Sequence, residues 1–183
     1  MNLLVKSALD HAARWHRDQK RKYPGFEVPY MSHPAGVALL LARHGFDDEV
    51  VAAGALHDVL EDCNVGVREL ESLFGQRVAE LVAAVSEPDK ELPWEERKRR
   101  YVERFAREPW DAQAISIADK VDNFQSILVC AAEYGADSTW RMFKRGREPQ
   151  LEQFDAMARV IGTLVEHPLL REFEANLAAV RAI

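Results

Sequence analysis

The chain has few cysteines: among 183 residues only Cys63 and Cys130, which form no CxxC pair. Neither a disulfide framework nor a cysteine-built metal site is therefore expected, and both thiols are assigned as small apolar residues of a reducing cytosol. No apolar run reaches the length of a membrane span. The opening Met1-Asn2-Leu3-Leu4-Val5-Lys6 lacks the basic flank, apolar run and cleavage site of a signal peptide. A cytoplasmic protein with no membrane partner is expected. Excess positive charge is missing as well. The formal net charge is −6, which argues against a nucleic-acid partner. Strand signals are nearly absent, with no hairpin dipeptide between alternating apolar runs. Neither a G-x-S-x-G elbow nor a P-loop occurs.

What is present is an ordinary globular mixture, 48% hydrophobic and 30% charged, in a length that suits one domain with a real core. Helical periodicity recurs along the chain and predicts an all-α domain over residues 1–183 with about 8–10 helices. The first is predicted over 2–20, followed by a Pro- and Gly-containing loop. Ser32 is the expected N-cap of the next, with Pro34 in its first turn and Gly45 at its end. A helix starting at Asp47 or Asp48 is expected to run on through residue 62. Shorter helices follow at 67–74 and 76–86, then a charged one at 94–107 after Pro88 and Pro93. A helix from Trp110 through Leu128 and three more near 138–145, 149–166 and 168–181 complete the chain. Basic residues gather in three clusters, within 17–22, 97–100 and 141–147; a solvated helix face or a polyanionic small molecule would account for them.

The densest chemistry lies in His57-Asp58-Val59-Leu60-Glu61-Asp62, just after the apolar run Val50 to Leu56. A helix turns about 100° per residue, so His57 and Asp58 can aim at one point, with Glu61 and Asp62 stacked one turn on. Burying such a group beside apolar residues is costly unless something positive sits among the acids, and a divalent metal meets that need. His33, at the mouth of a helix before Pro34, and Asp119, inside an apolar helix face, could extend the site. Two imidazoles and two carboxylates suit a cation such as Mn²⁺, with Zn²⁺, Mg²⁺ and Fe²⁺ left open. Each residue alone has a duller role: His33 as a capping residue, Asp119 as an ion-pair partner of Lys120 or Arg141. The order His, His-Asp, Glu-Asp, Asp is what argues for a site.

Further motifs accompany that order over residues 8–128. They are His16-Arg17-Asp18-Gln19 with Arg21-Lys22, and Pro29-Tyr30-Met31-Ser32-His33-Pro34. Ala55 to Asp62, Leu73-Phe74-Gly75, Leu92-Pro93 with Glu96-Arg97-Lys98, and Ala118-Asp119-Lys120 with Asn123 follow. Together they resemble the HD-domain phosphohydrolases, most closely the hydrolase domain of the RelA/SpoT alarmone enzymes and their small single-domain members, such as the metazoan SpoT homologue. The resemblance implies a helical bundle holding one Mn²⁺ by His33, His57, Asp58 and Asp119, with Glu61 and Asp62 activating or positioning a water. It also implies Arg21 and Lys22 beside the nucleotide, and Asn123 and Ser126 near its sugar or phosphates. The implied reaction removes the 3′-pyrophosphate of guanosine tetra- or pentaphosphate, leaving GDP or GTP. Phosphoryl transfer depends on positioning and electrostatics, so no Ser or Cys nucleophile is required.

Lys120-Val121-Asp122-Asn123-Phe124-Gln125 departs from that pattern, where His or Tyr is common at position 122 and Arg at position 125. An extra acid and a lost cation argue against a highly phosphorylated substrate. Trp94 stands where the metazoan homologue has Lys, and residues 86–90 are acidic where the long alarmone enzymes often place Thr-Lys. Two alternatives follow: an HD phosphohydrolase for another nucleotide, such as a nucleoside monophosphate or NADPH, and a non-catalytic nucleotide sensor. A homo-oligomer is left open. His16 is expected to be structural, and His11, His44 and His167 to have core or surface roles.

Overall fold

The computed structural model describes residues 2–25, 27–87, 91–164 and 166–183. The expected break at Pro88 lies outside these, as do Asp89 and Lys90 of the acidic segment 86–90. The all-α expectation holds, since the described residues contain one isolated bridge, Lys20 to Pro29, and no named strand. The helices are α1 (Leu3–Trp15), α2 (Ser32–Arg43), α3 (Asp48–Leu56), α4 (Val59–Asp62), α5 (Val67–Phe74) and α6 (Gln76–Val85). After them come α7 (Trp94–Phe105), α8 (Trp110–Tyr134), α9 (Ala136–Trp140), α10 (Arg147–Ile161) and α11 (Pro168–Arg181).

Two helices organise the rest. In α3 every residue from Val50 to Leu56 is buried, the pattern of a helix covered all round rather than on one stripe. It packs against α1, α2, α6 and α8. Its start is set by Asp47, whose carboxylate accepts the amides of Glu49 and Val50 at 3.1 Å each. The 25-residue α8 threads the interior, touching α2, α3, α6, α7, α9 and α11. It ends at Gly135, whose φ of 82° lies in the left-handed region where side chains are strained. Phe124 and Phe173 anchor α8 to α11, with ring centroids 5.2 Å apart and both side chains fully buried.

Several expectations are corrected. The first helix stops at Trp15 instead of running to residue 20. Beyond it the chain turns and pairs in extended form, Arg21 N–H to Val28 O at 2.8 Å and Tyr30 N–H to Gln19 O at 3.0 Å. Gln19 was expected on a helix face; its amide instead reaches Asp62 across the fold at 2.8 Å. Ser32 is the first residue of α2 and not its cap. The turn before it supplies the bonds a cap would make, with His33 N–H on Tyr30 O at 2.9 Å. The acidic hexad does not lie in one helix either: α3 ends at Leu56, and His57 and Asp58 form a turn before the short α4. The Gly54 carbonyl, which an unbroken helix would pair with the amide of residue 58, accepts the His57 ring at 2.8 Å. Toward the C-terminus, α8 extends past Leu128, while α9 and α10 begin two residues earlier than expected.

Candidate metal centre

A buried helix that ends abruptly delivers its last side chains into the interior. Thus α3 presents His57, 5% exposed, and the half-buried Asp58 to the first turn of α2, which carries His33 at 2% exposure. One ligand atom from each of these three side chains lies within 4.8 Å of the others. Asp119, on α8, joins them through His33: its Oδ1 is 3.2 Å from His33 Nε2, and Asp58 Oδ2 lies 3.6 Å from the same nitrogen. Of the four expected ligands, three therefore meet mutually and the fourth adjoins one of them.

Both imidazoles are oriented the same way. His57 donates Nδ1–H to the Gly54 carbonyl, and His33 Nδ1 bonds the Asp122 carboxylate at 2.6 Å. Each Nε2 is thereby turned toward the carboxylates with its lone pair available. His57 Nε2 is 3.0 Å from Asp58 Oδ2, but off the angle a hydrogen bond needs. It is a buried nitrogen without a hydrogen-bond partner among the described residues. Such an orphan, facing two acids and a second imidazole, fits a divalent cation bound by nitrogen and oxygen donors.

The charges point the same way. Burial lowers the pKa of His57, but Asp58 and Asp119 override it and push the ring up to about 9. The cluster thus draws in positive charge, a proton where no stronger cation is present. Asp58 and Asp119 are held well below the usual carboxylate range despite burial, Asp58 by His57 and His33, Asp119 by Lys120 and His33. Lys120, raised by Asp119 against burial, stays charged, and it pairs with Asp119 Oδ2. The duller alternative for Asp119 is therefore real, but it uses the other oxygen.

Glu61 behaves differently. Burial, with repulsion from Asp58, Glu87 and Asp62, pushes it up to about 7 against the pull of the Glu87 amide, which donates to Oε1 at 2.7 Å. A carboxyl near half-ionised at neutral pH can accept and return a proton. Asp62 is exposed, and Gln19 steadies its Oδ2, while Gln19 in turn bonds the His16 ring at 2.7 Å. His16 is thus structural, as expected, yet it braces an acid of the site. Tyr30 is a partner that sequence reasoning missed: its hydroxyl donates to Asp58 Oδ2.

His33, Asp58, Glu61, Asp62 and Asp119 line a cavity of about 460 Å³ that also takes in Lys22, Lys98, Lys120 and Trp94. Asn123 and Ser126 face it from α8, but both are occupied, Asn123 donating to Asp119 at 2.5 Å and Ser126 accepting from Arg21 at 2.5 Å. Arg21 is only 8% exposed and also lies 3.5 Å from Asp122 Oδ2, so it latches the 19–23 segment to α8. Asp122, taken from sequence as a surplus acid, is the acceptor for His33. The spacing 119, 122, 123, 126 marks one helix face and was the signal that could have revealed it. Gln125 points elsewhere, its amide 3.3 Å from Glu172 on α11.

Comparison with known proteins gives one consistent result. Residues 8–142 match the family described as HD domain. The chain is 40% identical over 132 residues to the Danio rerio guanosine-3′,5′-bis(diphosphate) 3′-pyrophosphohydrolase MESH1, covering 71% of this chain and 72% of that one. It is 42% identical over 128 residues to the Homo sapiens protein of the same name, covering 69% and 70%. Among solved structures it resembles a metazoan orthologue of SpoT described as hydrolysing ppGpp, with TM-score 0.82, 28% identity and 98% and 96% coverage. A Listeria monocytogenes protein superposes with TM-score 0.73 at 35% identity, covering 83% and 97%.

Proposed function

The chain belongs to the HD-domain family, and on that footing we propose that it removes the 3′-pyrophosphate of guanosine tetra- or pentaphosphate, releasing pyrophosphate and GDP or GTP. The observation that carries the proposal is the orphaned Nε2 of His57 beside His33 and Asp58, the latter two lining a cavity with room for a nucleotide. His33, His57, Asp58 and Asp119 would hold one divalent cation, Mn²⁺ in our reading. When bound, that cation polarises a phosphoryl oxygen and makes a water acidic enough to attack at neutral pH.

The remaining work falls to side chains. Glu61, fixed by the Glu87 amide and raised above the usual carboxylate range by burial, takes the proton of the attacking water. Asp62, steadied by Gln19, orients that water from the cavity mouth. Lys22, Lys98 and Lys120 supply positive charge along the wall, where phosphate oxygens develop negative charge. Asn123 and Ser126, with Arg21 behind them, line the same cavity and would meet the sugar or phosphate region by exchanging their present partners.

A second substrate class has one observation in its favour. Arg21 is latched to Ser126 and Asp122, and Gln125 reaches away to Glu172, so the cavity wall offers lysines in place of bidentate guanidinium groups. A less phosphorylated nucleotide, such as a nucleoside monophosphate or the 2′-phosphate of NADPH, would suit that wall. Purified protein with Mn²⁺ should release pyrophosphate from guanosine tetraphosphate, and Asp58→Ala or Glu61→Ala should abolish release. A panel of nucleotides at equal metal loading decides the substrate: turnover of a monophosphate or NADPH without pyrophosphate release rejects the alarmone.

A further inference from the structure

His33 is held by its rear nitrogen. Asp122 Oδ2 sits 2.6 Å from Nδ1, and the same oxygen lies 3.5 Å from Arg21 Nη2, with both acid and guanidinium largely shielded from water. The carboxylate reaches this position because residue 36, one turn along α2 from the histidine, is glycine. A Cβ built on Gly36 would fall far inside contact distance of Asp122 Oδ1, and no nearer atom confronts it. The backbone at Gly36 needs no left-handed conformation, so side-chain space, not φ, is what the missing methyl provides.

We infer that Asp122 is a positioning residue for the metal centre: it fixes the tautomer and rotation of His33 that aim Nε2 at the cation, and Gly36 is the space it occupies. The inference rests on the metal-dependent reading above. A carboxylate bonded to the far nitrogen of a ligating imidazole keeps the proton there and strengthens donation from the near one. Arg21, 3.5 Å from the same oxygen, helps to orient that carboxylate, so the residue that departs from the family pattern has a defined task. It leans on the centre from behind and leaves the nucleotide cavity to other groups.

The test is Mn²⁺ binding by calorimetry and by electron paramagnetic resonance of free Mn²⁺. It uses the wild type, Asp122→Asn, Asp122→Ala, Gly36→Ala and the Gly36→Ala/Asp122→Ala double variant, each verified as folded by circular dichroism. Removing such a partner weakens binding about tenfold to a hundredfold, which is expected for Asp122→Ala. Asp122→Asn, whose amide oxygen still accepts from Nδ1, should fall between it and the wild type. Gly36→Ala should weaken binding like Asp122→Ala by rotating the carboxylate away, and should add nothing in the double variant. That non-additivity is the signature of one shared interaction. Wild-type affinity in Asp122→Ala, or a Gly36→Ala loss that persists in the double variant, overturns the inference alone. A wild-type protein that takes up none of Mn²⁺, Zn²⁺, Mg²⁺ and Fe²⁺ overturns the metal centre itself.

Discussion

Glu61 differs from the other acids of the cluster by where its charge is paid for. Asp58 and Asp119 sit among imidazoles and Lys120 and ionise readily, whereas Glu61 faces burial and three other carboxylates, which outweigh the pull of the Glu87 amide. Its proposed role as base sets the sign of the pH dependence. The working form is the carboxylate, so lowering pH through the Glu61 pKa removes it. A bound cation draws that pKa downward from about 7. At saturating metal, kcat should therefore show an acid limb at or below that pH and fall tenfold per unit beyond it. Glu61→Gln should cost about 10²- to 10⁴-fold in kcat with Mn²⁺ affinity near wild type, because the residue supplies a proton acceptor and no ligand. A rate flat down to pH 5, or loss of metal with the glutamine, would remove Glu61 from the role. At this scale the candidate ligands could be singled out from type and order alone. Tyr30 and Gln19 were not, since their side chains meet Asp58 and Asp62 only through contacts between segments 28 and 43 positions apart.

At the level of elements, the end of α3 decides the geometry. The same sequence read as one helix would stack Glu61 and Asp62 over His57 and Asp58; the observed turn instead lets the His57 ring cap its own helix on Gly54 O. Gly54 also brings α2 and α3 close, for a Cβ there would run into Leu41 Cδ1 in a fully buried interface. Replacing Gly by Ala inside a helix ordinarily gains about 0.5–1 kcal/mol. Overpacking a core costs about 1–3 kcal/mol, so Gly54→Ala should be destabilising on balance, by roughly 1–2 kcal/mol in urea titration. Gly162, at the end of α10 with φ −61° and only ordinary contacts awaiting a methyl, is the control. Gly162→Ala should be neutral or gain up to about 1 kcal/mol. Equal effects at both positions would mean that the α2–α3 approach is not as tight as it looks. The glycine pattern was visible in sequence, but which glycine faces a neighbour depends on helix rotation, which no local signal sets.

Across the whole molecule, the candidate ligands come from α2, from the turn between α3 and α4, and from α8, elements more than sixty residues apart at the extremes. A cation shared by these segments binds the folded chain and not the unfolded one, so it adds to global stability. With free Mn²⁺ a hundredfold above Kd, the gain is about 2.7 kcal/mol. For a chain of this length that corresponds to a rise in Tm of about 5–10 °C, reversed by chelator. His33→Ala should abolish the rise, and a Tm indifferent to Mn²⁺ would argue against a centre built from these helices. No helix among the described residues is long and apolar enough to cross a membrane, in keeping with the apolar runs of the sequence.

Residue chemistry and helical periodicity were sufficient, without coordinates, to establish an all-α chain and the segments that bear its histidines and acids, whose order resembles that of the HD-domain enzymes. Those are local or ordinal properties: a side chain carries its donor atoms wherever it goes, and apolar spacing reports a helix from within the helix. What only the packed structure decided was which second partners those side chains take. Asp122 became the support of His33, Arg21 a latch in place of an open cation, and Glu61 a carboxyl poised near 7, because burial and long-range contacts set orientation and charge, and neither is encoded within a single segment.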